Sequence, residues 1–290
     1  MAKLEPVRRI DDGVTALSYD DPYAPVLFTE SLRRTGFAVI RRHPIPRELV
    51  QTIHAEWLDF FESEAKHAYA FDPTRLDGYF STHVSETAKG NDKRDLKEFF
   101  HLFPWGRYPG EVSDAARRYF ELASDFAGEL LSWVEVNTPE EVTDRFPMPL
   151  ASMIRESPAT LLRVLRYPPL TGGEEAGAVR AAAHEDINLL TVVPASNERG
   201  LQLLTRSGRW IDVPADPGTL IVNVGDMLQE ASRGYYRSTT HRVVNPTDDS
   251  ARRSRLSLPL FLQPRPEVPL SERHTAGSYM DERLRELGLR

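Results

Sequence analysis

The sequence predicts a mostly β core with flanking helices, and three observations lead there. In the first half, apolar residues recur at the three-to-four spacing of amphipathic helices. From residue 161 onward the pattern changes to short apolar runs interrupted by Pro and Gly, the punctuation of strands. Eight such runs at close intervals suggest a sandwich or a barrel, and Ser207-Gly208 between two of them is a hairpin signal.

Taken in order, residues 28–34 predict a short helix closed by Gly36, because glycine accepts the left-handed conformation that ends helices. Phe37-Ala-Val-Ile40 follows as a buried strand that ends at Pro44, where a backbone N–H is lost. After Pro46 a longer helix carries Leu49, Ile53, Trp57 and Phe60 or Phe61 on one face, an array that suits core packing better than a binding box. Residues 72–95 are rich in Gly, Asp, Lys and Thr, show no period, and read as an exposed excursion. Residues 112–136 predict another helix, with Ala115, Tyr119, Leu122, Phe126 and Leu130 on its apolar side. The strand candidates of the second half are 161–167, 179–183, 187–193, 201–204, 210–213, 219–224, 241–244 and 256–262. The charged stretch 277–289 predicts a closing surface helix. The sequence contains neither an internal repeat nor a low-complexity tract.

Composition narrows the chemistry. At 290 residues the chain can bury a sizeable core, and a net charge of −7 argues against a general nucleic-acid binder. There is no cysteine, so disulfides, thiolate metal sites, iron–sulfur clusters and cysteine nucleophiles are excluded, and metal ligands must come from His, Asp and Glu. Met1-Ala2-Lys3-Leu4-Glu5-Pro6 lacks the apolar run of a secretory signal. No stretch approaches the ~20 apolar residues of a membrane span, so a cytoplasmic location without membrane partners is expected.

The residues that carry chemistry are His184-Glu185-Asp186, the distant His241, and Arg255-Leu256-Ser257. Two neutral imidazoles and one carboxylate can occupy one face of an octahedral ferrous ion and leave the other positions open for a co-substrate and O2. His184 and Asp186 are two places apart, so on a strand or at its end both side chains point the same way. His241 lies 55 residues after Asp186, so a different strand must bring it alongside. An isolated His-x-Asp is more often a surface or hydrogen-bonded pair. The metal reading is strengthened by the apolar runs on both sides, since an unpartnered carboxylate and imidazole buried there would cost on the order of several kcal/mol. Arg255 has a competing reading as one of several surface arginines, yet it alone is in register with Ser257 and the apolar run that follows. Asn223 and Asp226 read as shaping the turn after a strand rather than taking part in chemistry.

A family resemblance rests on six segments in order: Leu165-Arg-Tyr-Pro-Pro169, His184-Glu-Asp186, Gly200-Leu-Gln-Leu-Leu204, Val222-Asn-Val-Gly-Asp-Met-Leu228, Tyr236-Arg-Ser-Thr-Thr-His-Arg-Val243 and Arg255-Leu-Ser-Leu-Pro-Leu-Phe261. Together with Gly36-Phe-Ala-Val-Ile40, His43-Pro-Ile-Pro46 and Asp95-Leu-Lys-Glu-Phe99 they make the chain resemble the Fe(II)/2-oxoglutarate-dependent oxygenases of the isopenicillin-N-synthase-like group. The resemblance implies a double-stranded β-helix, or jelly roll, over residues 151–290 with a C-terminal helix, and a helical N-terminal region over residues 1–150 that wraps it. It implies His184, Asp186 and His241 as catalytic Fe(II) ligands. Arg255, Ser257 and Tyr167 would bind 2-oxoglutarate, with the 2-oxo acid end on the metal and the distal carboxylate in a charge-assisted pair with the guanidinium. Leu165 departs from the asparagine that flavonoid-type members often carry, Glu185 sits at the variable middle of the motif, and the filled carboxylate position argues against a halogenase.

The implied activity is oxidation, foremost hydroxylation, of a small metabolite coupled to decarboxylation of 2-oxoglutarate to succinate, with desaturation or cyclisation as other outcomes. The preferred substrate class is an amino acid or a natural-product intermediate, roofed by the N-terminal excursion; Tyr79, Phe80, His83, Phe100, His101 and Phe103 are candidate contacts, and Arg166 and Arg180 candidate partners of an anionic group. Three other functions stay open: a 2-oxoglutarate-independent Fe(II) oxidase, a non-catalytic metal-binding jelly-roll sensor, and a Zn(II) hydrolase, which leaves Arg255 and Ser257 unexplained.

Overall fold

A computed structural model of the chain describes residues 8–9, 14–72, 74–82 and 93–286. In the first half the strands are β1 (Arg8–Arg9), β2 (Thr15–Ser18), β3 (Phe37–Arg41), β4 (Gly78–Phe80) and β5 (Glu98–Leu102). In the second half they are β6 (Leu161–Tyr167), β7 (Ala181–His184), β8 (Leu190–Pro194), β9 (Leu201–Leu204), β10 (Trp210–Asp212), β11 (Thr219–Val224), β12 (His241–Val243), β13 (Arg255–Ser257) and β14 (Leu260–Leu262). They form a large sheet in the order β1-β2-β3-β11-β8-β14-β6-β5-β4, with β13 also paired to β6, and a small sheet in the order β10-β9-β12-β7. All pairings are antiparallel except the parallel pair of β2 with β3. The expected jelly roll is therefore present, as two facing antiparallel sheets.

Alternation along the strands sorts side chains between two environments. From the large sheet, Leu162, Val164, Leu190, Val192, Leu220, Val222, Leu256 and Leu260 join the principal core with the helices α1 (Ala24–Thr35), α2 (Arg47–Glu62) and α3 (Ala115–Val136). Their neighbours Leu165, Tyr167, Thr191, Val193, Ile221, Asn223, Arg255 and Ser257 line a cavity toward the small sheet. Two smaller apolar clusters bridge the sheets beside it, one around Phe37, Leu203, Val213 and Ile221, the other around Phe99, Leu165, Ala181 and Val243. No helix among the described residues is long and apolar enough to cross a membrane.

Local sequence explains how the elements end. Gly36 caps α1 at φ 72°, and its N–H donates to the Leu32 carbonyl. A Cβ there would lie 2.1 Å from Thr239 Oγ1, so the missing side chain also lets the loop before β12 pack on the helix end. The expected hairpin joins β9 to β10, with Gly208 at φ 81° in its turn.

Several expectations are corrected. The first half is mainly helical as expected, but it also supplies strands that were not, since β2 to β5 extend the large sheet on both sides of the later strands. Within the expected excursion, Gly78–Phe80 is a buried strand, and Glu98–Leu102 beyond it is buried throughout. Its polarity disguised it: Glu98 is enclosed with Lys66, Tyr79 and Arg166 as partners, so a charged side chain sits where alternation leads one to expect an exposed position. Leu122 is 41% exposed, because the buried stripe of α3 runs through Tyr119, Ala123, Phe126 and Leu130. The run 256–262 is two strands, interrupted at Leu258 and Pro259. The run 187–193 becomes strand only at Leu190, after a turn that the active site uses.

Candidate active site

His184 closes β7 and His241 opens β12, and the two are direct cross-strand partners. Their rings lie 4.4 Å apart between centroids. Asp186 follows two residues after β7, with its Oδ1 3.8 Å from His184 Nε2 and 3.7 Å from His241 Nε2. One ligand atom from each of the three lies within 4.8 Å of the others, a separation that a single cation can bridge.

The surroundings orient every donor. His184 Nδ1 lies 2.8 Å from the Ala182 carbonyl and His241 Nδ1 3.1 Å from the Thr239 carbonyl. A carbonyl only accepts, so each Nδ1 carries its proton and each Nε2 presents a lone pair toward the shared centre. Asp186 Oδ2 accepts from Thr191 Oγ1 at 2.6 Å and Asn223 Nδ2 at 2.8 Å, which leaves Oδ1 facing the imidazoles. Burial alone would raise the Asp186 carboxyl, but the two imidazoles and these two hydrogen bonds outweigh it and hold it below the ordinary range. Burial, and then the His241 ring, lower His184 to about 4. His184 and Asp186 are therefore deprotonated at neutral pH, and the donor set fits a ferrous ion: two imidazole nitrogens, one anionic oxygen, and an adjoining cavity.

The backbone holds Asp186 in place as firmly as its side-chain partners do. The Asp226 N–H donates to the Asp186 carbonyl, Gly225 N–H to Leu189, and Met227 N–H to Asn188. Gly225 permits this contact, since a Cβ would stand 2.3 Å from the Asn188 carbonyl oxygen. Asp226 is itself pushed up to about 7, by burial first and then by Glu185. The turn-shaping expectation thus holds for Asp226 and fails for Asn223, which belongs to β11 and holds the carboxylate directly. Glu185 is exposed and accepts from Thr240, away from the cluster.

At the other end of the cavity Arg255 and Ser257 on β13 are both buried and line the wall. Arg255 is paired across the sheet with Tyr167, its guanidinium carbon 5.1 Å from the centre of that ring. Its Nε donates to the Glu198 carbonyl at 3.2 Å, while Nη1 is buried without a partner. Leu165 lines the same wall.

The expected roof is where the structure departs furthest. Tyr79 donates to Glu98, Phe100 packs on Trp57, Phe80 stacks on Phe99, and Phe103 stacks on Trp105; none of the four lines the cavity. His101 reaches it only through Arg163, whose Nε lies 2.9 Å from His101 Nε2. His83 lies outside the described residues. Arg166 is engaged with Glu98 and Glu62. Arg180 is fully buried and does not line the cavity. Instead, among the described residues, Phe37 and Lys97 are what the first half contributes to the cavity wall, with Arg163 and Phe261 among those from the second. Lys97 could have been suspected from its place inside Asp95-Leu-Lys-Glu-Phe99, whereas nothing local distinguishes Arg163 from the arginines around it.

Known proteins share this architecture. Residues 158–264 match the model of the 2OG-Fe(II) oxygenase superfamily, and residues 27–122 match that of the non-haem dioxygenase in morphine synthesis N-terminal region. Jasmonate-induced oxygenase 2 of Arabidopsis thaliana is 28% identical over 253 residues, covering 83% of this chain and 65% of that protein, so the chain spans a little under two thirds of this relative's length. A full-length Neurospora crassa protein, solved in complex with alpha-KG and thymine, shares the fold at a TM-score of 0.77 and 21% identity, over 97% of this chain and 99% of that one. A Shewanella oneidensis protein assigned as an oxygenase has a crystal structure that matches at a TM-score of 0.87 and 50% identity, over 96% of this chain and 99% of its own. With both halves matched by family models and 50% identity to a solved structure over 99% of that structure's chain, the chain belongs to the isopenicillin-N-synthase-like 2OG-Fe(II) oxygenase superfamily.

Proposed function

We propose that this protein is a non-haem Fe(II)- and 2-oxoglutarate-dependent dioxygenase that hydroxylates a small-molecule metabolite, an amino acid or a natural-product intermediate. One observation carries the reading: a cluster of two imidazoles and a carboxylate, with Asp186 and His241 buried and His184 half-buried, shares a cavity with a buried guanidinium that has an unpartnered nitrogen. His184, Asp186 and His241 would hold the metal. Arg255 and Ser257 would receive the distal carboxylate of 2-oxoglutarate, with Tyr167 beneath the guanidinium. Bound together, ferrous iron and 2-oxoglutarate supply O2 activation coupled to decarboxylation to succinate and CO2.

The protein's own part is placement and exclusion of water. The Ala182 and Thr239 carbonyls keep the imidazole lone pairs on the metal side, and Thr191 and Asn223 keep the carboxylate from turning away. Apolar walls from Phe37, Val193, Leu201, Ile221 and Phe261 strengthen each charge interaction inside. Lys97, paired with Asp95 at 2.8 Å, and Arg163, held on His101, bring cationic side chains to the same wall, which suits a substrate that carries an anionic group beside an apolar body. Residues 151–290 would hold the chemistry and residues 1–150 would enclose it. A reducing cytoplasm, where ferrous iron persists, suits the reaction.

The test is a screen of amino acids and small acids with Fe(II)-loaded protein, following succinate release and O2 uptake together. Substrate-stimulated succinate in step with O2 is the expected result. O2 uptake without succinate would replace the proposal with an oxidase that draws its electrons from substrate alone. No uptake above background with any compound would leave a metal-bearing binding protein.

A further inference from the structure

Arg180, which the sequence offered only as a candidate partner of an anionic substrate group, is among the largest fully buried side chains, at 0% exposure. It stands immediately before β7, with its N–H on Asn245 Oδ1 and its Nη2 donating to the Arg253 carbonyl at 3.1 Å. Its Nε and Nη1 are buried with no partner, as is Nη1 of Arg255. The two guanidinium charges are close enough for Arg255 to disfavour the charged form of Arg180, second only to burial. Glu198, the carboxylate that offsets both, spends its oxygens on the exposed Arg253, at 2.6 Å and 3.3 Å.

Two buried like charges with orphaned N–H groups cost the fold stability, and Tyr167 and Glu198 offset them only in part, since burial still lowers both guanidiniums. A ligand that brings negative charge would complete the offset. Arg255 lines the cavity, and Arg180, which does not, donates to the carbonyl of Arg253 two residues before it, so its charge is added on the Arg255 side of the wall. We propose that Arg180 is a positioning residue of the co-substrate site, a second cation acting through Arg255 that makes the site prefer a 2-oxo diacid over a 2-oxo monoacid. The inference rests on the oxygenase reading above and adds to it a residue outside the Arg-x-Ser pair.

The experiment measures binding, not turnover. Fe(II)-loaded wild-type protein, Arg180→Met and Arg180→Lys are titrated calorimetrically without O2, once with 2-oxoglutarate and once with 2-oxobutanoate, which has the same chelating end but no distal carboxylate. Arg180→Met should weaken 2-oxoglutarate on the order of tenfold or more and change 2-oxobutanoate by no more than about twofold, with Arg180→Lys recovering most of the loss. Relief of the like-charge pair should leave the metal-free Arg180→Met protein melting no lower than wild type. Unchanged 2-oxoglutarate binding, or equal losses for both acids, would overturn the proposal. If Arg180→Met does not fold, Arg180→Gln, which keeps a donor for the Arg253 carbonyl, is read the same way, and failure of both to fold overturns the proposal in favour of a structural role. A wild-type protein that binds no 2-oxoglutarate would instead sink the oxygenase reading itself.

Discussion

The two ends of the cavity are built on opposite plans. At the His184, Asp186 and His241 end, the outer atoms of all three side chains are already hydrogen-bonded to protein, so the donors are oriented before any cation arrives. At the Arg255 end, buried N–H groups have no partner and two guanidiniums share one region. The first end is satisfied polar structure that needs only an ion; the second is unsatisfied structure that needs an anion. The difference teaches that buried charge can be stabilised by the fold or left for a ligand to stabilise, and that only the second arrangement leaves orphaned atoms as a trace.

The largest test of this contrast removes the carboxylate. Asp186→Ala should abolish Fe(II)-dependent succinate release down to background, and full activity would discard the ligand assignment. Next, Arg255→Ala should weaken 2-oxoglutarate by roughly 2–5 kcal/mol, the range for a desolvated charge pair that loses one partner, and leave Fe(II) affinity nearly unchanged. A parallel loss of metal binding in a calorimetric titration would show that the two ends are not separate. Asn223→Ala should be milder, costing roughly 10–100-fold in Fe(II) affinity by freeing Asp186 Oδ2. An unaltered metal titration would mean that the carboxylate needs no such restraint.

The smallest expected effect is on pH dependence. His54 is held at about 4, by burial first and then by the Arg255 charge, and His184 is likewise lowered to about 4. Because the unfolded imidazole titrates near ~6.5, the unfolded chain takes up protons first as pH falls. The contribution of these groups to stability is therefore present above about pH 6.5 and lost progressively toward pH 4. Urea midpoints of metal-free protein should fall over that window, and His54→Gln should flatten the fall. A wild-type midpoint that rises on acidification would contradict the sign.

Much of this was legible from residues alone. The short runs after residue 161, the Ser207-Gly208 hairpin and the helix closed by Gly36 follow from local preferences, which act over a few neighbours. His184, Asp186, His241, Arg255 and Ser257 were each visible as residue types in suggestive spacing. What stayed hidden were partnerships between distant segments. Glu98–Leu102 did not read as a strand because its charge is compensated by Lys66 and Arg166, remote in sequence. Asn223 did not read as a carboxylate partner because Asp186 reaches it only across the sheet.

By itself, then, the sequence determined which groups were available, how they alternate along each strand and which chemistry their types permit. Only the tertiary structure decided that His241 stands opposite His184, that Thr191 and Asn223 hold Asp186, and that Arg180 is enclosed beside Arg255. The physical reason is that propensity and period are set by near neighbours, whereas burial, hydrogen-bond satisfaction and the field at a charged group depend on segments that meet only when the chain folds.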